Sequence, residues 1–198
     1  MDPERLEKQI GFIVEIDKLK RVLRQTLLTD FERRENSAEH SWHLALMAIF
    51  LAEHAKEKVD LPKVVKLVLI HDLVEIDAGD TYCYDDEGNL DKNEREQKAA
   101  DRIFNLLPGE QAVELRALWD EFEARETPEA RFANSLDRFQ PLLFNHVTNG
   151  QSWVEHQISQ EQVLDRNSPI EDGSETLWGY SKGMIDQAVE KGLLRTSD

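Results

Sequence analysis

The fold is decided by residues 64–80, Val64-Val65-Lys66-Leu67-Val68-Leu69-Ile70-His71-Asp72-Leu73-Val74-Glu75-Ile76-Asp77-Ala78-Gly79-Asp80. Apolar residues occupy almost every position of this stretch, and this pattern predicts a central helix that is buried on all sides. Pro62 suits the first turn of such a helix, and Gly79 suits the position just after its end. We therefore expect the rest of the chain to pack around this segment.

The same stretch carries three ionisable side chains, His71, Asp72 and Glu75. Burying a polar group without a partner costs about 2–7 kcal/mol even when the group is neutral, and a charged group costs more. Residues three and four positions apart lie on one side of a helix, so these side chains can share one partner. We expect that partner to be a cation.

Length and composition favour one globular domain. A chain of 198 residues can bury a sizeable core, and its content of 40% hydrophobic and 32% charged residues is typical of a water-soluble protein. No apolar run approaches the roughly 18 residues of a membrane span. Residues 1–5 lack the basic start of a signal peptide, and Cys83 is the only cysteine. These features predict a cytoplasmic protein without membrane contact.

Charge is unevenly distributed along the chain. The formal net charge of −16, from 40 acidic and 24 basic residues, argues against stable nucleic-acid binding. Residues 18–34 are nevertheless basic. Two interpretations stay open for this segment: a solvated helix end and loop, or a cationic lip that binds a small anion. Its basic residues are Lys18, Lys20, Arg21, Arg24, Arg33 and Arg34.

Nearly every other segment has the pattern of a helix, which predicts an all-α, single-domain helical bundle over residues 1–198. Asn36 and Glu39 have the spacing of a capping box at the start of a helix. Residues 26–35 are predicted to be a linker rather than a strand, and Pro141 to cause a kink or short break. The predicted helices cover approximately residues 6–23, 36–58, 64–80, 92–106, 109–125, a segment from Thr127, 155–165, and a last one ending near Gly192.

Four residues on the predicted helices form a candidate metal site: His40, His71, Asp72 and Asp137. Two imidazoles and two carboxylates make a mixed nitrogen and oxygen set that suits Mn²⁺, Co²⁺, Ni²⁺, Fe²⁺ or Zn²⁺. Water and substrate would complete the coordination. Residue types alone leave other interpretations open, because core histidines are often only hydrogen-bonded and Asp137-Arg138 is also compatible with a surface ion pair.

These motifs resemble the HD-domain metallophosphohydrolase superfamily, and within it the all-α, commonly dimeric 5′-deoxynucleotidase-like branch. The resemblance rests on residues 36–42, Asn-Ser-Ala-Glu-His-Ser-Trp, on His71-Asp72-Leu73-Val74-Glu75, on Gly79-Asp80 and on Asp137. It covers a motif-bearing core of about residues 10–145, followed by C-terminal helices over about residues 146–198.

The resemblance implies roles for individual residues. His40, His71, Asp72 and Asp137 would hold one divalent ion, with Mg²⁺ added to the candidates above. Glu75 and Asp80 match catalytic acidic positions. Arg24, followed by Gln25 where the family has an aromatic residue, falls near the arginine that contacts the nucleotide.

The implied function is a metal-dependent phosphohydrolase that acts on (deoxy)nucleoside 5′-monophosphates, or a similar small phosphate monoester, through metal-activated water, with the chain a homodimer. Glu75 would accept a proton from the attacking water and Asp80 would protonate the leaving group, but the reverse assignment stays open. Two alternative interpretations also stay open: Glu75 only orients His71, and Asp80 is a turn residue.

Two other functions stay open. One is a metal- or nucleotide-binding module without turnover. The other is an HD-type phosphodiesterase, which the absence of histidine between residues 73 and 136 disfavours, because those enzymes generally hold a second metal with histidines in that region.

Overall fold

The structure, a computed structural model, describes residues 3–196, so both termini of the predicted 1–198 domain lie outside the described residues. The described chain is almost entirely helical, and the predicted all-α fold class is confirmed. The larger helices are α1 (Pro3–Ile16), α2 (Ser37–Leu51), α3 (Leu61–Ile70), α6 (Lys92–Phe104), α7 (Gly109–Ala124), α8 (Pro128–Val147), α10 (Gln160–Asn167) and α12 (Glu175–Glu190). The short ones are α4 (Glu75–Ala78), α5 (Asp86–Asn89), α9 (Gln151–Glu155) and α11 (Ile170–Gly173), with 3-10 segments at Asp17–Arg21, Ala52–His54 and His71–Val74.

The prediction of a linker over residues 26–35 is wrong. Two short strands, β1 (Leu23–Leu27) and β2 (Arg34–Asn36), pair antiparallel, with Leu23 opposite Asn36. The turn between them is closed by the Leu28 amide, which donates to the Arg33 carbonyl at 2.9 Å. The charged composition of this segment has no alternating apolar pattern, and its pairing depends on residues that lie on the other strand.

The central segment is interrupted rather than continuous. Instead of one helix over residues 64–80, α3 ends at Ile70, a tighter 3-10 segment covers His71–Val74, and α4 follows. The carbonyl of His71 accepts a hydrogen bond from Trp119 Nε1 at 3.2 Å. Asp72 lies within the 3-10 segment, and Glu75 follows it directly as the first residue of α4.

Gly79 ends α4 with a φ of 74°, a left-handed conformation that glycine adopts without a steric penalty, as its predicted position after the helix requires. Pro62 lies in the first turn of α3, as predicted. The prediction that this helix is buried on all sides is wrong, because Leu69 is 43% exposed.

The apolar interior consists of two clusters, and the central segment belongs to both. One cluster includes Leu67 of α3 and Leu136 of α8; the other includes Val74 and Trp119. His71, Asp72 and Glu75 therefore enter the protein interior between two apolar cores.

Local signals at the helix ends agree with the structure in two of three cases. Asn36 and Glu39 form the predicted capping box, and Thr127 caps α8 through the Ala130 amide. Of the kink or short break predicted at Pro141, the break is wrong, because α8 runs through that residue to Val147. Elsewhere, the predicted helix over 155–165 is replaced by α9 and α10, and α2 ends at Leu51, well before residue 58.

Within the described residues, no helix has both the length and the apolar character needed to cross a membrane.

The two faces of α3 should respond differently to truncation. Leu67 is fully buried whereas Leu69 is 43% exposed, so we expect Leu67→Ala to lower the free energy of unfolding. The loss should be about 3 kcal/mol, because the substitution leaves a cavity in the core. The matched change Leu69→Ala should cost less than about 1 kcal/mol. Urea denaturation of both variants measures the difference, and equal losses would show that α3 is packed on both faces.

Candidate metal centre and cavity

The four predicted metal ligands come from separate parts of the chain and converge. His40 lies on α2, His71 and Asp72 on the 3-10 segment, and Asp137 on α8. Asp137 Oδ1 lies 2.9 Å from His40 Nε2 and 3.6 Å from His71 Nε2, and Asp72 Oδ1 lies 3.0 Å from His71 Nε2. Donor atoms of His40, His71 and Asp72 lie within 4.8 Å of one another. Bonds of about 2.0–2.2 Å to one small cation would separate neighbouring donors by similar distances.

Hydrogen bonds orient both imidazole rings toward this point. His71 Nδ1 donates to the Val68 carbonyl at 2.9 Å, which leaves the Nε2 lone pair facing the carboxylates. That nitrogen is buried and has no hydrogen bond within the part of the chain that the structure describes. His40 Nδ1 donates to Gln140 Oε1 at 3.2 Å, which leaves its Nε2 for Asp137. A lone pair that faces carboxylate oxygens is satisfied by a cation, so the donor set fits a divalent ion.

The charges around His40 are strongly coupled. Burial and the nearby Arg24 act to lower the pKa of His40, but the carboxylates of Asp137 and Glu35 outweigh them and raise it to about 9. Burial acts to raise the pKa of Asp137, yet hydrogen bonding to His40 and His71 holds it well below its usual range. A proton on His40 and a metal ion therefore compete for the same nitrogen.

Arg24 lies on β1 and is buried among carboxylates. Its Nη1 lies 3.0 Å from Asp72 Oδ2 and 3.4 Å from Asp80 Oδ1, and its Nε lies 3.3 Å from Glu35 Oε1. Burial alone would lower the pKa of Arg24, but Asp72 and Asp80 raise it above its ordinary value. The predicted substrate-contacting residue is thus part of the site, with its charge already compensated by acidic neighbours.

The two predicted catalytic acids lie beside the ligands. Glu75 is buried, and its Oε2 accepts a hydrogen bond from Ser37 Oγ at 2.6 Å. Burial and the Asp72 carboxylate raise the pKa of Glu75 well above its usual value. Burial and Asp72 also raise the pKa of Asp80, although Arg24 partly opposes the shift. Both carboxyl groups can therefore hold a proton nearer to neutral pH than an exposed acid can.

Sequence reasoning missed residues that support this arrangement. Glu35 is buried, accepts a hydrogen bond from Gln140 Nε2 at 2.8 Å and faces both His40 and Arg24. Ser37 supports Glu75. The run of polar residues around Asn36 predicts only a linker and a helix cap, because it has no apolar pattern that marks Glu35 or Ser37 as buried.

A cavity opens beside the metal ligands. Its volume is about 110 Å³, several times the roughly 15 Å³ that one ordered water needs. Of the six basic residues proposed as a cationic lip, only Arg24 lines it; Lys18, Lys20 and Arg33 instead pair with surface acids. The other lining residues with charged or polar side chains include Asp72, Glu75, Asp80, Tyr82, Lys92, Asp137, Arg138, Asn145, Arg166 and Asn167.

Comparison with known proteins identifies the family. The family model described as HD domain matches residues 16–178, which is most of the chain. The chain belongs to the HD-domain family. The HD type of the predicted fold is confirmed as well, because a solved structure superimposes with a TM-score of 0.92 at 55% identity, covering 96% of this chain and 95% of the other. That neighbour is described as a predicted metal-dependent phosphohydrolase from Magnetospirillum magnetotacticum MS-1.

Curated relatives extend the comparison. The HD-domain chain is 31% identical over 135 residues to the human protein named 5′-deoxynucleotidase HDDC2, and the match spans 68% of this chain but 65% of the human protein. It is 33% identical over 118 residues to the HDDC2 protein of Dictyostelium discoideum, covering 57% of this chain and 62% of that protein. The HD-domain chain therefore matches somewhat less than two thirds of the length of these relatives.

Metal uptake by this HD-domain protein should be linked to proton release. Because the pKa of His40 is raised to about 9, its ring is protonated at pH 7 and must lose that proton to bind an ion. The apparent affinity for Mn²⁺ should therefore rise by about tenfold per pH unit between pH 6 and pH 8. Titration calorimetry in buffers of different ionisation enthalpy measures both the affinity and the number of protons released.

The matched control is His43→Gln. His43 lies one helical turn after His40, but its ring packs at 5.3 Å from Phe144 rather than among the donors. This variant should keep the same pH slope. An affinity for Mn²⁺ that does not change with pH would contradict the role given to the His40 proton.

Proposed function

We propose that this chain is a divalent-metal-dependent phosphohydrolase that hydrolyses (deoxy)nucleoside 5′-monophosphates or a similar small phosphate monoester. The observation that carries the proposal is the convergence of two imidazole nitrogens and two carboxylates beside a cavity that Asp72, Asp137, Glu75 and Asp80 line. The relatives named 5′-deoxynucleotidase and the neighbour named as a predicted metal-dependent phosphohydrolase support it.

In this proposal His40, His71, Asp72 and Asp137 hold one divalent ion, chosen from Mn²⁺, Co²⁺, Ni²⁺, Fe²⁺, Zn²⁺ and Mg²⁺. When bound, such an ion supplies Lewis-acid activation of water and of a phosphoryl oxygen. Membership of the HD-domain family and the donor set together imply the divalent ion. The mixed nitrogen and oxygen donors suit several metals, so the identity of the bound ion has to be measured.

Glu75 and Asp80 transfer the protons of the reaction. Glu75 accepts a proton from the attacking water, and the hydrogen bond from Ser37 Oγ fixes which oxygen is free to do so. Asp80 donates a proton to the departing ester oxygen, for which its raised pKa is suited. The pKa of Glu75 is raised as well, which supports the reverse order equally. Arg24 contacts the substrate phosphate from the β1 side of the cavity while it holds Asp72 and Asp80 in position.

Phosphate release from a panel of ribo- and deoxyribonucleoside 5′-monophosphates tests the proposal, with each candidate metal added back to chelated protein. We expect Asp72→Ala to lose metal-dependent activity together with metal. Glu75→Ala and Asp80→Ala should retain metal and lose at least about a hundredfold in kcat, the lower range for general acid–base catalysis.

Asp77→Asn is the matched control for these acids. Asp77 lies in the same segment but forms an ion pair with Arg102 on the surface, so its kcat should stay within about twofold. Metal binding without phosphate release from any ester in the panel would favour the non-catalytic module. If the two acid variants hydrolysed as fast as the parent, the roles given to Glu75 and Asp80 would be wrong.

We also propose that the chain forms a homodimer through α1. Four apolar side chains of this helix, spaced along one stripe, are about half exposed or more: Leu6, Ile10, Ile13 and Val14. An exposed apolar stripe of this kind is typical of an interface between protein chains. The 5′-deoxynucleotidase-like branch that the sequence resembles is commonly dimeric, which supports a second copy as the occupant.

Light scattering after size-exclusion chromatography tests the dimer. The parent should elute at twice the mass of the 22.9 kDa chain, and Ile13→Glu should elute as a monomer with an unchanged helical spectrum. Val113→Glu on α7, an apolar position outside α1 that is more exposed than Ile13, should stay dimeric. A parent that elutes at 22.9 kDa would contradict the dimer.

A further inference from the structure

Arg138 is a buried cation that the proposed chemistry does not use. It follows Asp137 on α8, lines the cavity and is only 7% exposed. Its Nη1 donates to the Arg166 carbonyl, and its Nε is buried without a hydrogen bond in the described part of the chain. Within residues 3–196 it forms no ion pair with a carboxylate. The Asp137 carboxylate attracts this charge but is itself paired with His40. A buried charge without a carboxylate partner of its own is costly, so an anionic ligand is the partner that this position lacks.

Arg166 places a second guanidinium on the same wall. It lies on α10, lines the cavity and, within the described residues, also forms no ion pair with a carboxylate. It lies beside the thiol of Cys83, and burial raises the pKa of that thiol, so the thiol stays neutral and leaves the arginine charge uncompensated. Asn145 and Asn167 line the cavity too and add neutral hydrogen-bonding groups.

The other cations of the cavity are already paired. Arg24 faces Glu35, Asp72 and Asp80, and Lys92 Nζ lies 3.5 Å from Glu96 Oε1. The cavity wall formed by the β1–β2 hairpin (residues 23–36) and by the central segment (residues 64–80) is therefore charge-balanced or acidic. The wall formed by α8 and α10 carries the unpaired positive charge.

The two walls also face different parts of a bound ester. The scissile phosphate belongs at the donor atoms of His40, His71, Asp72 and Asp137, close to Asp80 and Arg24. Consecutive residues of an α-helix project about 100° apart, so Arg138 leaves α8 in a different direction from the ligand Asp137. Its Nη1 contacts the Arg166 carbonyl, so its guanidinium lies beside α10.

We propose that Arg138 and Arg166 form a second anion subsite, which binds a phosphate or carboxylate of the substrate other than the phosphate that is hydrolysed. The proposal rests on the proposed phosphohydrolase function and narrows its substrate class to monoesters that carry a further anionic group. Two guanidinium forks suit such a group because each can donate two parallel hydrogen bonds to its oxygens.

Equilibrium binding tests the subsite without relying on turnover. Titration calorimetry on metal-loaded Glu75→Gln protein compares deoxyadenosine 5′-monophosphate with deoxyadenosine 3′,5′-bisphosphate and 5′-diphosphate. We expect at least one of the doubly phosphorylated nucleotides to bind about tenfold tighter or more, a typical gain for one charge-assisted contact. Adding Arg138→Gln or Arg166→Gln should remove most of that advantage while the monophosphate affinity changes less than about threefold.

The controls separate a local subsite from a structural effect. Arg131→Gln, on the same helix but paired at the surface with Glu57, should keep the full advantage. Arg138→Lys, which keeps the charge without the fork, should give an intermediate value. If the buried Arg138→Gln variant fails to fold, the half-buried Arg166→Gln carries the test.

Two results would overturn the subsite. One is equal affinity of the parent for all three nucleotides. The other is an equal loss for monophosphate and doubly phosphorylated ligands in the arginine variants, which would place these side chains on the scissile phosphate. A failure of the phosphohydrolase proposal gives a different pattern, because a protein without turnover would still show the binding advantage and its loss in the arginine variants.

Discussion

Crowding of negative charge is the constraint on which the rest of the structure depends. Five carboxylates, those of Glu35, Asp72, Glu75, Asp80 and Asp137, surround the side chains of Arg24 and His40 in a region with little access to water. Burial, together with this crowding, raises the pKa of Glu75 and Asp80, and the carboxylates of Asp137 and Glu35 raise the pKa of His40 to about 9. A divalent cation at the His/Asp cluster would resolve the imbalance.

These charges come together where the central segment, residues 64–80, is interrupted. The central segment changes from α-helix to a 3-10 turn at His71–Val74, and the indole of Trp119 donates a hydrogen bond to the carbonyl of His71 there. The two apolar clusters on either side then keep solvent away, which strengthens every interaction among the charges.

Some of this could be predicted from the sequence. The helices and their caps follow from local patterns, since Asn36 with Glu39 and Thr127 before Pro128 act within a few residues. Convergence of His40, His71, Asp72 and Asp137 followed from the resemblance of their motifs, although their roles stay predictions.

The rest depends on contacts between distant positions. The β1–β2 pairing, the interruption at His71 and the burial of Glu35 each need a partner far away in the chain. Arg138 shows this limit most clearly, because an arginine beside an aspartate is compatible with a surface pair, and only the folded chain, which brings its Nη1 to the Arg166 carbonyl, makes it a buried cation.

The hairpin has a consequence for how this sequence can change over time. Arg24 and Glu35 are eleven positions apart but become neighbours because the strands pair, and the six residues from Leu28 to Arg33 only close the turn. Insertions or deletions at that exposed tip leave both strand ends in register. Homologous chains are therefore free to differ in length there, while the distance between the two charged residues stays fixed.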